Sequence, residues 1–307
     1  MNIKAIQLLT LTLLASCSLP LNAAEKKLEI VASFLPIYAH TQTVAGDLAK
    51  VSMLLSKDSG PHDYALNPSD IKRLARADLF IINGLGLEEW SNEIVKKAGN
   101  KKLVVVDSSK GISLLDSPKV VSLPSAEKID HTGHDHGEGK NPHIWLDPIS
   151  AQQQVKNIAE ALIKADPKNA DGYKKNRDAY LVELKKLHED FRSKLNQLPI
   201  KNLITFHDAF PYLAKRYGMN YIGFIEEFPE KDPKPSELAA LVKAIKDNKV
   251  KVLFAETGYS PKLLQSIATQ TGAAVADIDT LEVGAPTADA YIKLMRKNLA
   301  SFEKAWK

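Results

Sequence analysis

The octapeptide Asn-Pro-His-Ile-Trp-Leu-Asp-Pro at residues 141–148 divides the chain into two parts with different sequence patterns. Short apolar runs alternate with helical stretches before it, whereas long helical stretches follow directly after it. Pro142 and Pro148 restrict the backbone, so the segment is predicted to be a stiff loop that presents His143 in a fixed direction. His143 is therefore a candidate metal ligand, and the alternative is a structural histidine that packs against Trp145.

Strand-length apolar runs alternate with helices on both sides of this central region. They predict eight strands, which cover residues 28–32, 51–55, 79–82, 103–106, 203–206, 221–224, 250–255 and 274–278. An alternation of this kind is typical of βαβ units with parallel sheets. The predicted fold class is therefore α/β, with two lobes that each contain a parallel β-sheet flanked by helices.

A long helix is predicted to join the two lobes. Residues 169–198 are compatible with one helix, whose length would be about 45 Å at 1.5 Å per residue. Its apolar positions follow helical spacing and comprise Tyr173, Tyr180, Leu184, Leu187, Phe191 and Leu195. We expect an N-terminal lobe over residues 25–165, a linking helix over 166–198 and a C-terminal lobe over 199–307.

The N-terminus has the pattern of a secretory targeting segment. A lysine precedes a short leucine-rich region that is too short to span a bilayer, so residues 1–24 are predicted to be a signal peptide. Cleavage is expected either near Ala23-Ala24, which gives a periplasmic protein, or before Cys17, which would then carry a lipid anchor. Cys17 is the only cysteine, so an intrachain disulfide is excluded.

The composition limits the classes of partner. Apolar residues make up 44% of the chain and the net charge is only +4, which is ordinary for a globular protein and gives no indication of nucleic-acid binding. Residues 128–140 form a polar, histidine-containing loop with His131, His134 and His136. This loop is either a weak metal-capturing segment or a solvated spacer.

Four metal-ligating residues are predicted at strand ends or in the loops that follow them. His62 comes after the second predicted strand, His143 after the fourth and its long loop, His207 directly after the first strand of the second half, and Asp279 directly after its last. Ligands of α/β sheets gather at the carboxyl ends of the strands, so two ligands per lobe would place a cation in the cleft between them. Three imidazoles and one carboxylate suit a tetrahedral divalent ion, zinc first.

Each of these four positions also has a structural interpretation, since the spacing alone does not define a metal site. His62 could lie in a surface turn, His207 in the core, and Asp279 could cap the next turn. Glu256, at another strand end, is a candidate partner of the metal-bound histidines, and a helix cap or a surface charge is the alternative.

Several motifs in chain order resemble one protein family, the zinc- and manganese-binding solute-binding proteins of bacterial ABC importers (solute-binding protein family 9). The similarity extends over nearly all of the chain after the predicted signal peptide. The matching segments are residues 33–38, 60–70, 141–148, 207–218, 254–256 and 271–273. The resemblance implies two α/β lobes joined by one long helix, with the metal ion between them.

The resemblance also implies the ligands, the cargo and the partner. His62, His143 and His207 match the three histidine positions of the family and Asp279 matches its carboxylate position. Manganese-type members tend to have a glutamate at the third position, so His207 favours Zn²⁺ over Mn²⁺. We expect a monomer that delivers zinc to the membrane permease of an ABC importer, and the alternatives are a manganese-type binding protein or a metal-dependent adhesin.

A metalloenzyme is the alternative class of protein for a site of this composition. A catalytic zinc ion needs an open coordination position and a general base, whereas four protein ligands leave no room for a reactive water. The sequence contains no His-Glu-x-x-His motif, and we identify no nucleophile pattern. We therefore predict a binding protein without catalytic residues.

Overall fold

The computed structural model of the protein describes residues 26–62, 64–116, 139–199, 201–226, 234–257 and 261–307. The predicted signal peptide with Cys17, and the three histidines His131, His134 and His136, lie outside these ranges. Within the described ranges no helix has the length and apolar character required to cross a membrane.

The fold is α/β, as the alternation of apolar runs predicts. The strands are β1 (Leu28–Ala32), β2 (Ala49–Met53), β3 (Leu79–Ile82), β4 (Val104–Asp107), β5 (Asn202–His207), β6 (Asn220–Glu226), β7 (Val252–Glu256) and β8 (Ala274–Ile278). The helices are α1 (Leu35–Ala45), α2 (Pro68–Leu74), α3 (Ser91–Ala98), α4 (Pro148–Ala165), α5 (Ala170–Leu195), α6 (Pro211–Tyr217), α7 (Pro235–Asp247), α8 (Lys262–Thr271) and α9 (Ala290–Trp306).

All strand pairings between these elements are parallel. The first half forms a four-stranded sheet in the order β2-β1-β3-β4, with Ile30 paired to both Val51 and Leu79. In the second half β5 pairs with β6, β7 pairs with β8, and β5 packs beside β7. The strand β2 begins two residues earlier than the sequence pattern predicts, because Ala49 and Lys50 also join the register with β1.

The long helix α5 has 26 residues, which corresponds to a length of about 39 Å. Its buried residues are Tyr173, Tyr180, Leu184, Leu187, Phe191 and Leu195, which confirms the apolar stripe predicted from the sequence. It packs against α4 and α1 from the first half and against α9 from the second half. One hydrophobic core therefore runs along α5 and includes residues of both halves.

Trp145 packs in this core and holds the central octapeptide, residues 141–148, against it. The side chain is fully buried, and its ring lies edge-on to Phe34 with 4.9 Å between the ring centroids. Its indole N–H donates a hydrogen bond of 2.8 Å to the carbonyl of Thr280, and its own carbonyl accepts one of 2.7 Å from Tyr291. The segment that carries His143 is thus held by residues from both halves of the chain.

Candidate metal centre

Four side chains meet in the cleft between the two halves of the chain. They are His62, His143, His207 and Glu282, and one ligand atom from each lies within 4.8 Å of the others. The Nε2 atom of His143 is 3.3 Å from that of His62 and 3.2 Å from that of His207. One carboxylate oxygen of Glu282 lies 3.5, 3.5 and 3.4 Å from the three histidine Nε2 atoms.

These distances agree with a tetrahedral zinc site. Zinc bonds of about 2.0–2.2 Å to nitrogen and oxygen place neighbouring ligand atoms of a regular tetrahedron about 3.3–3.6 Å apart. The five separations given above span 3.2 to 3.5 Å. The four atoms therefore already surround a space of the size that one Zn²⁺ requires.

Two of the histidines have their rings oriented by a partner on the other ring nitrogen. The Nδ1 atom of His143 lies 3.0 Å from the side-chain oxygen of Asn141, and the Nδ1 atom of His207 contacts the carboxylate of Glu256. An acceptor at Nδ1 keeps the proton there in the neutral imidazole, so the lone pair of Nε2 is then directed at the cleft.

The surrounding structure fixes the three histidines in different ways. The loop that carries His62 is held by Trp90, whose indole N–H donates to the carbonyl of Pro61 at 3.0 Å. The side chain of Asn83 donates to the carbonyl before His143, also at 3.0 Å. His207 is the last residue of β5, and its backbone N–H donates to Glu256, the last residue of β7, at 2.9 Å. Glu256 is thus a buried partner of His207 and not a surface charge.

Asp279 does not belong to this group, and its place is taken by Glu282. The carboxylate of Asp279 accepts a hydrogen bond of 2.9 Å from the backbone N–H of Leu281, and it lies 3.8 Å from the ammonium group of Lys297. Leu281 has a φ of +64°, in the left-handed region, so the chain reverses there and directs Glu282 back to the histidines. The structure thus brings Glu282, and not the predicted ligand Asp279 of the same loop, next to the three histidines.

Burial and charge affect the site residues differently. Burial lowers the pKa of His143 to about 3, so this imidazole is neutral at physiological pH. Burial also opposes a charge on His207, but the carboxylates of Glu256 and Glu282 outweigh it and raise the pKa of His207 well above its usual 6.5. In the same way the charge on His207, with hydrogen bonds from the histidines, holds the pKa of Glu282 well below 4.5 despite its burial.

A proton on His207 should therefore compete with the metal ion. The ion can bind only the neutral imidazole, and the raised pKa of His207 means that binding must displace a proton at neutral pH. We expect zinc affinity to fall by about one decade per pH unit between pH 7.5 and 5.5 from this group alone. Competitive titration with a chelator whose own pH dependence is known measures this slope, and an affinity independent of pH would contradict it.

The fold and the cleft define a two-lobed protein with a candidate site for a divalent ion between three histidines and one glutamate. Comparison with known families agrees with this description. Residues 30–305 match the family described as the periplasmic component A of the zinc-uptake complex (ZnuA). The chain belongs to this family of extracytoplasmic solute-binding proteins.

Individual relatives match over most of the chain. The high-affinity zinc uptake system protein ZnuA of Bacillus subtilis (strain 168) is 35% identical over 277 residues, which are 89% of this chain and 86% of that protein. The zinc-binding protein AdcA of Streptococcus pyogenes serotype M6 is 30% identical over 285 residues, or 90% of this chain, and this chain covers only 55% of that relative.

A solved structure has the same fold. It is the laminin-binding protein (Lmb) of Streptococcus agalactiae, described as a bifunctional protein with adhesin and metal transporting activity. It superimposes with a TM-score of 0.79 and 32% sequence identity, and the match covers 92% of this chain and all of that one. The family resemblance of the sequence motifs and the predicted two-lobed architecture are thereby confirmed.

Proposed function

We propose that this protein captures Zn²⁺ outside the cytoplasm and delivers it to the membrane permease of an ABC importer. The observation that carries the proposal is the arrangement of the four ligand atoms, whose 3.2 to 3.5 Å separations match those of a tetrahedral zinc site. We propose His62, His143, His207 and Glu282 as the ligands. The zinc-named relatives from Bacillus and Streptococcus support zinc as the cargo.

The donor set favours zinc over manganese. Imidazole nitrogen suits zinc, whereas Mn²⁺ prefers octahedral sites built from oxygen atoms. The cleft offers three nitrogens and one carboxylate. Five separations between the ligand atoms already match tetrahedral spacing. Four protein ligands would complete the coordination of the ion, which supports a carrier and gives no open position for catalysis.

Burial of the site supports a role in transport. The side chains of His207 and Glu282 have no exposed surface, and those of His143 and His62 have only 2% and 6%. A bound ion would be shielded from water and from competing ligands until the surrounding segments move. Release at a permease would then require the two halves to separate, and we propose that the periplasm or a lipid anchor at Cys17 keeps the protein near that permease.

A metal-binding titration of the purified mature protein tests this function. We expect one zinc ion to bind tightly, to be removable by a strong chelator with the fold retained, and to outcompete manganese. The adhesin activity described for the Streptococcus agalactiae protein favours the alternative of an adhesin with a structural metal. That alternative predicts that removing the ion unfolds the protein, or that the ion does not exchange on a biological time scale.

Deletion of residues 130–138 should leave the tight site intact. This segment contains His131, His134 and His136, whereas the four proposed ligands all lie outside it. We expect the shortened protein to bind one equivalent of zinc with an affinity within a few-fold of the full chain, and to lose any weaker equivalents. Isothermal titration calorimetry on both proteins measures the stoichiometry, and loss of the tight equivalent would make the deleted segment the primary site.

A further inference from the structure

Asn141 connects the two halves of the protein directly behind the metal centre. It is only 1% exposed, and its side-chain oxygen accepts hydrogen bonds of 3.0 Å from the backbone N–H and from Nδ1 of His143. Its amide nitrogen donates to the carbonyl and to the carboxylate of Asp208 at 2.8 and 2.9 Å. Asp208 directly follows the proposed ligand His207, so one amide group contacts a proposed ligand of the first half and the neighbour of a proposed ligand of the second half.

The orientation of this amide is fixed at both ends. The backbone N–H of His143 can only donate, so it requires the oxygen of Asn141, and the carbonyl and carboxylate of Asp208 can only accept, so they require the nitrogen. A reversed amide would lose its partners on both sides. With the oxygen facing His143, the proton of that imidazole is held on Nδ1, and Nε2 is left to bind the ion.

We propose that Asn141 is a positioning residue that makes the metal-binding form of His143 depend on contact between the two halves. The inference rests on the proposed function of metal capture. While the halves are together, Asp208 orients the amide and the amide selects the Nδ1-protonated imidazole. When the halves separate, the amide loses Asp208, the other tautomer of His143 becomes accessible, and the ion loses a preorganised ligand at the moment of release.

Three variants separate the two roles of this amide. Asn141→Ala removes both contacts. Asn141→Asp keeps an acceptor for His143 but places a carboxylate against that of Asp208. The double variant Asn141→Asp with Asp208→Asn exchanges donor and acceptor, so a hydrogen bond between the halves can form again with reversed polarity. The readouts are zinc affinity, the zinc dissociation rate and the nitrogen-15 shifts of the His143 ring in metal-free protein.

We expect Asn141→Ala to weaken zinc binding by about 10- to 100-fold and to populate both tautomers of His143. Asn141→Asp should retain the Nδ1-protonated form yet accelerate zinc dissociation by at least about 10-fold, since like charges oppose closure. The double variant should return the dissociation rate to within a few-fold of the wild type. A double variant that dissociates as fast as Asn141→Asp overturns the proposed coupling.

Asn100→Ala is the matched control. Asn100 makes three side-chain hydrogen bonds within the first half, to Leu74, Ala77 and Lys102, and none of these residues is in the metal centre. Its replacement should lower stability without changing zinc affinity or the tautomer of His143. If the wild type binds no zinc, the proposed function fails. If the wild type binds zinc and His207→Ala abolishes tight binding while Asn141→Ala changes neither affinity nor tautomer, the positioning role alone is wrong.

Discussion

Replacement of His207 by alanine should weaken zinc binding by about 10²- to 10³-fold. Zinc sites with four protein ligands bind with roughly 10–16 kcal/mol, so one ligand accounts for about 2.5–4 kcal/mol, and each 1.4 kcal/mol is a factor of ten. His207 ends strand β5 and is fully buried, so its position is set by the sheet. Competitive titration against a chelator of known zinc affinity measures the change.

His207→Glu tests the choice of metal at the same position. A carboxylate there suits manganese better than zinc, so the ratio of zinc affinity to manganese affinity should fall relative to the wild type. His188→Ala is the matched histidine control, because His188 lies on α5 and bonds Tyr217 at 3.0 Å, outside the metal centre. If His207→Ala binds zinc like the wild type, the second half of the proposed site is wrong.

The metal-free His207→Ala protein should also melt at a lower temperature. Glu256 and Glu282 are both buried, and each would lose its contact with an imidazole that carries positive charge. Affinities must therefore be measured well below the melting transition. Zinc should raise the melting temperature of the variant less than that of the wild type, as mass-action stabilisation requires.

Substitutions at Glu282 and Asp279 should have very different effects on zinc binding. Glu282→Gln retains the size of the side chain but removes the anionic ligand, and we expect a loss of about 10²-fold or more by the same free-energy argument. Asp279→Asn retains an oxygen that can accept the hydrogen bond from Leu281, so the turn that presents Glu282 should form and affinity should stay within a few-fold.

The same titration on both variants distinguishes the two carboxylates. A large loss with Asp279→Asn together with a small loss with Glu282→Gln would contradict the assignment of Glu282 as the fourth ligand. The two residues are almost equally buried, at 3% and 2% exposure, so a difference between the variants cannot be attributed to burial.

The proximity of the three histidines could be predicted from the sequence, because the carboxyl ends of parallel strands lie at one edge of a sheet. His207 ends a strand, and the loops that carry His62 and His143 leave the carboxyl ends of β2 and β4. The linking helix was also predictable, because its apolar residues repeat at helical spacing. They form one stripe along the helix that is buried against both halves of the protein. Periodicity and strand ends are local patterns, and local patterns are visible in a single sequence.

Glu282 could not be identified by the same rule because it lies four residues after β8 and reaches the cleft only through a tight reversal. That reversal depends on the left-handed backbone of Leu281, a conformation that a leucine does not indicate. A weak signal was present, since an aspartate that bonds the N–H two residues on is a common turn former, and a second carboxylate follows in the same loop. Glu256 could be named as a candidate partner because it ends a strand, as His207 does. The role of Asn141 was not predicted, because its amide is oriented by Asp208, a contact across 67 residues that no local spacing encodes.

The most direct test of the central claim is the anomalous diffraction signal of a crystal of the zinc-loaded protein, recorded on both sides of the zinc absorption edge. We predict one strong peak in the cleft, about 2.0–2.2 Å from Nε2 of His62, His143 and His207 and from a carboxylate oxygen of Glu282. A peak coordinated by Asp279 in place of Glu282, or a single peak on His131, His134 and His136 with none in the cleft, would contradict the account.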